Sequence, residues 1–379
     1  MKRALVAIFL GSLVIGLTQT VASASVKPGA VCKNVGQINT TAGKKYTCIT
    51  KGTKLVWNKG VSVKSAASAP KPAPKYPTAP TSFDDLIANY TGISYAAWSK
   101  SSAVIKGASD VAPAYKAIIG PNTTLAYKKP ATAFDLVARL YSGYKSSNDF
   151  SVIFFNYEDR IWAQGLMTTM QPRHDSRWIT YTACATRQTC WGAGVFSDDD
   201  AKVSMIISTE IADKNHTSGT LEAHEYVHVI QDYQMGRPSL WPPTGDRPPT
   251  WYIEGEATFA QNAAIYHESF DLYSSNRRYI SEGLYNDPAI TSEWIQNYLV
   301  INQPSSWFNE YKSWRQYDLG AMFIEILTAL KGPASTMEVW KLTGTGLKFT
   351  DAFEKVYGIS FEKALPIMSK AIALQLSRS

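Results

Sequence analysis

The sequence predicts an α+β protein, and two patterns along the chain lead to that prediction. Three short runs rich in β-branched and aromatic residues lie in its middle: SVIFFNY (151–157), WITYTAC (178–184) and KVSMIIST (202–209). From about residue 216 to the C-terminus, the apolar residues recur at helical spacing almost throughout. Strands followed by helices, rather than alternating with them, favour an α+β fold over a doubly wound sheet.

The chain begins with the features of a secretory signal peptide, residues 1–24. Lys2 and Arg3 precede an apolar run over residues 4–17, and Ala22-Ser23-Ala24 fits a small-residue cleavage site. We expect cleavage after Ala24 and a secreted or extracellular mature protein. The apolar run is short for a membrane span, which weighs against the alternative of a retained N-terminal anchor.

A basic arm of two parts follows the signal peptide. Residues 25–82 contain ten lysines and no acidic residue, whereas residues 83–379 hold 26 basic and 31 acidic groups. Residues 25–60 resemble a small β-hairpin module, and the Pro, Ala, Ser and Lys of residues 61–82 predict an extended linker. The arm fits attraction to an anionic cell-wall or envelope surface, with a solvated basic tail as the alternative. Nucleic acid is not an expected partner, because no recognised binding motif is present.

The four cysteines form two local pairs, Cys32 with Cys48 and Cys184 with Cys190. An even number of cysteines in an exported chain predicts disulfides. The sequence alone does not fix their connectivity, but local pairing would keep each bridge within one module.

Residues 83–379 are expected to form the main domain. Its first part, residues 83–150, is predicted to be mostly helical, with FDDLIANY (83–90) and ATAFDLVARLYSGY (131–144) as amphipathic segments. Whether this part acts as a pro-segment stays open. Asp198-Asp199-Asp200 could bind calcium, although a solvated turn is the simpler interpretation.

The segment HEYVH, residues 224–228, carries the clearest chemical pattern in the chain. On a helix, His224 and His228 lie on one face and can direct their imidazole rings at one point. Glu225 lies beside them, so two nitrogen ligands are accompanied by a carboxylate base, as in a zinc hydrolase. Ordinary part-buried helix histidines are the alternative. Local signals predict a helix over about residues 219–233, with Ser218 as its N-cap.

The segment WYIEGEA, residues 251–257, offers a third ligand. Prolines and glycines exclude a long helix between residues 235 and 249, and Thr250 can cap a new helix after them. Glu254 then falls in the first turn of that helix, 25 residues separating it from His228. Glu256 is the competing carboxylate. It points roughly opposite Glu254 on a helix, so only one of the two can face a metal.

Together these segments resemble the active site of gluzincin-type zinc metallopeptidases, the peptidase MA-like group related to thermolysin-like HExxH…E enzymes. In that family the Glu before the Gly of W-x-x-E-G-x-A binds zinc, which implies Glu254 as the third ligand. The family also carries Y-x-x-G at the start of a helix. Tyr317, in YDLGAMFIEIL (317–327), matches the family tyrosine that hydrogen-bonds the tetrahedral intermediate. The resemblance covers about residue 216 to the C-terminus.

The resemblance implies a zincin-like catalytic domain: a small mixed sheet with an active-site helix, then a mainly helical C-terminal lobe. It implies one Zn²⁺ per chain, held by His224, His228 and Glu254, with a zinc-activated water, Glu225 as general base and Tyr317 as oxyanion donor. The substrate would be a peptide or a protein. The G-x-M-E-N segment that holds the substrate amine in related aminopeptidases is absent from the sequence, so endo- and exopeptidase action both stay open.

Three further expectations follow. KVSMIIST would supply the edge strand that binds extended substrates in gluzincins, with a buried structural strand as the alternative. Asp232, one turn after His228, is expected at the solvated surface rather than beside an imidazole. A second class of function is a cell-envelope-associated binding protein with a non-catalytic peptidase-like domain. The presence of Glu225 favours the enzyme over the binding protein, because a binding protein has no need of a general base.

Overall fold

The computed structural model describes residues 26–63, 76–197, 202–235, 247–301 and 314–378. Four predicted features lie outside the described residues: the signal peptide, the middle of the linker, Asp198-Asp199-Asp200 and residues 236–246 of the loop before the second helix. The chain divides into two compact units, residues 1–74 and 75–379.

The first unit is a small antiparallel sheet closed by a disulfide. Its strands are β1 (Ile38–Thr41), β2 (Lys44–Lys51), β3 (Lys54–Trp57) and β4 (Val61–Ser62). The central strand β2 pairs with the other three. Tyr46 and Trp57 pack around the Cys32–Cys48 disulfide, which forms the buried centre of this unit.

Residues at both ends of the predicted linker, residues 61–82, contact other parts of the chain. At one end, Val61 in β4 pairs with Lys45 of β2, so the sheet of the first unit extends beyond residue 60. At the other end, the ring of Tyr76 stacks on that of Tyr95 with their centroids 3.6 Å apart.

The second unit combines four strands with thirteen α-helices among the residues described. Its first half contains the whole sheet: α1 (Ile93–Gly107), β5 (Lys116–Ile119), α2 (Pro130–Leu140), β6 (Asp149–Phe155), α3 (Arg160–Met170), β7 (Ala193–Ser197) and β8 (Lys202–Ser208). Its second half is helical: α4 (Lys214–Ser218), α5 (Thr220–Gln234), α6 (Thr250–Ile265), α7 (Phe270–Ile280), α8 (Glu282–Asn286), α9 (Ser292–Ile301), α10 (Arg315–Lys331), α11 (Ala334–Gly344), α12 (Phe349–Tyr357) and α13 (Phe361–Gln375).

The sheet of the second unit has the order β5-β6-β8-β7. Strands β5, β6 and β8 are parallel, and β7 pairs antiparallel with β8 at one edge. Alternate side chains of β6 face opposite sides of the sheet. Val152 and Phe154 join the main helical core, whereas Ile153 and Phe155 pack against α3 and the Cys184–Cys190 disulfide. The sheet is therefore covered on both faces.

These observations confirm a mixed α+β fold with two local disulfides, but one predicted strand is wrong. WITYTAC contains a π-helical turn, Ile179–Ala183, instead of a strand. Ile179 and Ala183 are buried, whereas Tyr181 between them is 77% exposed. Buried positions four residues apart fit a helical turn, and a strand buried on one face would have buried all three.

Helices α6 and α10 approach each other through two glycines. A Cβ added to Gly320 would overlap the carbonyl oxygen of Trp251, and a Cβ added to Gly255 would overlap the backbone of Gly320. The missing side chains let the two backbones touch. Because Gly255 follows Glu254 and Gly320 lies one turn after Tyr317, this crossing sets the distance between those two side chains.

We expect Gly320→Ala to destabilise the protein by about 1–3 kcal/mol, because the new methyl group must push α10 away from α6. Gly165→Ala is the matched control. Gly165 is an exposed position of α3 with open space around its Cα, and alanine there is expected to stabilise the helix by about 0.5–1 kcal/mol. Urea unfolding of both variants measures the two effects. A free energy of unfolding of Gly320→Ala equal to that of the natural chain would contradict the close approach of α6 and α10.

The two disulfides indicate folding in an oxidising environment. Among the described residues, none of the helices combines the length and the apolar character needed to span a bilayer.

Candidate metal centre

The two histidines of HEYVH lie on α5, and their rings converge as the helical spacing predicts. The helix begins at Thr220, directly after Gly219, whose φ of 88° lies in the left-handed region. Gly219 rather than Ser218 therefore occupies the N-cap position. Four residues apart on one face, His224 and His228 bring their Nε2 atoms within 3.3 Å of each other.

Glu254 completes a triangle with these two nitrogens. It is the fifth residue of α6, and its Oε2 atom is 3.3 Å from Nε2 of His224 and 3.4 Å from Nε2 of His228. The side chains of His228 and Glu254 are 16% and 20% exposed, so the group borders on solvent. The three residues form a cluster that could hold one metal ion.

The spacing of the three donor atoms fits zinc. In a tetrahedral zinc site with ligand distances of about 2.0–2.1 Å, neighbouring ligand atoms lie about 3.3–3.4 Å apart. The triangle has edges of 3.3, 3.3 and 3.4 Å. Two imidazole nitrogens and one carboxylate oxygen are also the donor set of many hydrolytic zinc sites.

Two buried glutamines orient the imidazole rings. Nδ1 of His224 lies 2.9 Å from Oε1 of Gln261, and Nδ1 of His228 lies 2.7 Å from Oε1 of Gln231. An amide oxygen can only accept, so each Nδ1–H donates to it. When a ring is neutral, its Nε2 atom then carries the lone pair and directs it at the centre of the triangle, which is the tautomer that a metal ligand needs.

Glu256 supports the site from the opposite side of α6. Its buried carboxylate accepts hydrogen bonds from Trp340, Thr336 and Nε2 of Gln231, the last at 3.0 Å. Gln231 therefore links Glu256 to His228. Of the two candidate carboxylates, the structure places Glu254 beside the histidines and turns Glu256 away from them.

Burial and mutual attraction act in opposite directions on the ionisable groups of the triangle. Burial acts to lower the pKa of His228, but the carboxylate of Glu254 outweighs it and raises that pKa to about 10. Burial acts to raise the pKa of Glu254, but the two histidines hold it far below its usual range. One positive charge at this point thus stabilises the Glu254 carboxylate, and a bound cation would do the same.

Glu225 is buried beside the triangle. It is 5% exposed, and burial raises the pKa of its carboxyl group while His224 and His228 partly offset that effect. A carboxylate with a raised pKa is a better proton acceptor near neutral pH than an exposed one.

Tyr317 lies in the first turn of α10, on the same side as the triangle of His224, His228 and Glu254. The centroid of its ring is 5.9 Å from that of His224. Burial and the neighbouring Glu254 raise the pKa of Tyr317 well above its usual value, so its hydroxyl keeps its proton at physiological pH. Arg315, which is buried and ion-paired at 2.7 Å with Asp318 of the same helix, donates to the carbonyl oxygen of Gly283 and so ties this end of α10 to α8.

The expectation that Asp232 lies at the solvated surface is wrong, because this residue is buried. Its carboxyl group is 5% exposed and accepts a hydrogen bond of 3.0 Å from Oγ of Ser197, which ties α5 to β7. Burial raises the pKa of Asp232 to about 7, although Ser197 and His228 act in the other direction.

The folded protein therefore binds a proton at Asp232 more tightly than the unfolded chain does. Stability contributed by this group is present below its unfolded pKa of 3.8 and is lost as the pH rises through about 7. Relative to Asp232→Asn, we expect the natural chain to lose up to about 4 kcal/mol of unfolding free energy between pH 4 and pH 8. Urea unfolding across that range tests this. If the free energies of unfolding of the natural chain and of Asp232→Asn changed with pH in the same way, the prediction would be contradicted. Asp84→Asn, at an exposed position, serves as the control.

The edge strand next to α5 is β7 and not KVSMIIST. β8, which contains that segment, lies between β6 and β7 and is buried over all but its first residue. KVSMIIST is therefore a buried structural strand, as the alternative interpretation of this segment predicts. β7 is only half-buried along most of its length and lies at the edge of the sheet nearest to Asp232.

Searches against models of known protein families, curated proteins and solved structures find no match to this chain.

Proposed function

We propose that this protein is a secreted, zinc-dependent metallopeptidase of gluzincin type. The observation that carries the proposal is the triangle of Nε2 of His224, Nε2 of His228 and Oε2 of Glu254, whose edges match those of a tetrahedral zinc site. Glu225 and Tyr317 lie beside that triangle, where a peptidase needs a base and a hydrogen-bond donor.

The surrounding fold supports the same proposal. A small mixed sheet covers α5, and the helical lobe that follows supplies Glu254 from α6 and Tyr317 from α10. That order of elements is the one expected of a zincin-like catalytic domain. The half-buried edge strand β7 would be available to pair with an extended peptide, because an edge strand leaves one row of backbone groups unpaired.

His224, His228 and Glu254 would hold the zinc ion, which when bound supplies a Lewis acid for polarising water and the scissile carbonyl. Glu225 would accept the proton of the attacking water on its carboxylate and then deliver it to the nitrogen of the leaving amine. Tyr317 would donate its hydroxyl proton in a hydrogen bond to the developing oxyanion. Gln231 and Gln261 would keep both imidazoles in the Nδ1–H tautomer throughout.

The test uses residues 25–379 with the natural disulfides. We expect about one zinc per chain by elemental analysis and cleavage of a quenched-fluorescent peptide library. Cleavage should stop on chelation and return with added zinc. Glu254→Gln should lose most of the zinc because the amide is a poor zinc ligand.

Two outcomes would count against the proposal. Zinc without cleavage of any peptide would favour the cell-envelope-associated binding protein with a non-catalytic domain. A chain that binds no zinc would overturn the assignment of Glu254 and the catalytic account. The positions of cleavage would decide between endo- and exopeptidase action.

A further inference from the structure

One face of the small sheet in the first unit is open to solvent. Alternate residues of β2 point to opposite faces. Tyr46 and Cys48 face the buried centre, whereas Lys45, Ile49 and Lys51, on the opposite face of β2, point outward and are exposed.

The register brings further apolar side chains onto this outer face. Val56 of β3 lies opposite Ile49, and Val31 lies opposite Val56, so three branched aliphatic residues form a row across the sheet. Ile38 of β1, opposite Thr47, lies on the same face and diagonal to Ile49. Val31, Ile38 and Ile49 are 77%, 55% and 42% exposed, which is a cost for a small unit in water.

Lysines flank this apolar row on both sides, along the direction of the strands. Lys51 and Lys54 are directly opposite each other on one side, and Lys45 lies further along β2 on the other. Like charges opposite each other destabilise a sheet unless an anion lies between them or above them. Residues 25–82 contain no acidic residue that could neutralise these lysines locally.

We propose that this lysine-flanked face, formed by Val31, Ile38 and Ile49 between Lys45 and the Lys51–Lys54 pair, binds the surface of a bilayer rich in anionic phospholipid. The lysines would contact lipid phosphates, and the aliphatic row would enter the boundary between head groups and acyl chains. A soluble polyanion such as a wall polymer would satisfy the lysines, but it offers no apolar layer for the aliphatic row. This inference does not depend on the proposed peptidase activity.

The test measures binding of residues 25–379 to vesicles by co-sedimentation. We expect binding to vesicles of equal parts phosphatidylglycerol and phosphatidylcholine, and none to phosphatidylcholine alone. At about 1 kcal/mol for each lysine near the anionic surface, the triple variant Lys45→Gln/Lys51→Gln/Lys54→Gln should bind roughly 100-fold more weakly. The matched control Lys27→Gln/Lys44→Gln/Lys59→Gln removes the same charge from other positions of the unit and should bind within about fivefold of the natural chain.

A second pair of measurements separates a membrane from a soluble polyanion. Ile38→Thr/Ile49→Thr keeps β-branched side chains on the strands. We expect it to weaken vesicle binding several-fold and to leave binding to inorganic polyphosphate unchanged. Mass spectrometry of the Cys32–Cys48 disulfide and circular dichroism verify folding of each variant.

Three results would overturn the inference. Equal losses in the two triple variants would mean that total charge, and not this face, determines binding. Unchanged vesicle binding of the isoleucine variant would assign the face to a soluble polyanion. Failure of the folded natural chain to bind phosphatidylglycerol vesicles would remove the membrane as a partner.

Discussion

Glu225→Gln is expected to lower kcat for peptide hydrolysis by about 10²–10⁴-fold while the zinc content stays at the level of the natural chain. Glutamine has the size and shape of glutamate, so α5 and the two flanking ligand positions should keep their arrangement. Its amide cannot accept a proton from water, however, and the general base is lost. Because Glu225 is buried, no solvent-exposed carboxylate can readily replace it.

Glu222→Gln is the matched control for this variant. Glu222 is also buried on α5, one turn before Glu225, and the same isosteric change replaces a carboxyl group whose pKa burial raises to about 7. We expect its kcat to stay within a few-fold of the natural value. A Glu225→Gln protein that contains zinc and cleaves peptides at the natural rate would exclude Glu225 as the base. An equal loss in both variants would point to the charge of α5 instead.

Gln231→Leu is expected to weaken zinc binding by about 10–100-fold, although Gln231 would not touch the metal. Leucine removes the oxygen that accepts the Nδ1–H of His228, so the ring is free to rotate and to change tautomer. It also removes the donor that lies 3.0 Å from Glu256, which leaves that carboxylate with fewer partners in the core. A free energy of unfolding lower by about 1–3 kcal/mol should accompany the loss of affinity.

Gln234→Leu is the control, since Gln234 lies three residues further along α5 and donates to the carbonyl of Lys145 at the surface. Competition with a chromophoric chelator gives the zinc dissociation constants, and urea unfolding gives the stability. A Gln231→Leu protein that is destabilised but binds zinc as tightly as the Gln234→Leu control would assign Gln231 a purely structural role.

The positions of the candidate metal ligands could be predicted because they depend on local geometry. His224 and His228 share a face on any helix, and the resemblance then selected Glu254 over Glu256. Gln231 and Gln261 were missed because glutamine on a helix carries no chemical signature by itself. A usable signal existed: Gln231 is three residues after His228, and Gln261 is seven after Glu254, so both lie on the faces that carry ligands.

The order of the strands could not be predicted in the same way. Which strand lies at an edge depends on pairings between distant segments, and these leave little trace in a single sequence. β7 includes Gly194 and has only five residues, so its strand signal is weak. The edge role of β8 was inferred from the family resemblance, and the pairing of β8 with both β6 and β7 excludes it. Asp232 was misplaced for a related reason, since its partner Ser197 lies on that unpredicted strand.

The glycine crossing of α6 and α10 has a consequence for how relatives of this protein could be found. A Cβ on either Gly255 or Gly320 would overlap backbone atoms of the other helix. Because both residues are already glycine, a larger residue at one position cannot be compensated by a smaller residue at the other. We therefore expect both positions to stay glycine in relatives, even where the surrounding residues differ. A pattern that requires Glu-Gly after HExxH, and a tyrosine three residues before a second glycine, should detect distant homologues whose overall sequence similarity has disappeared.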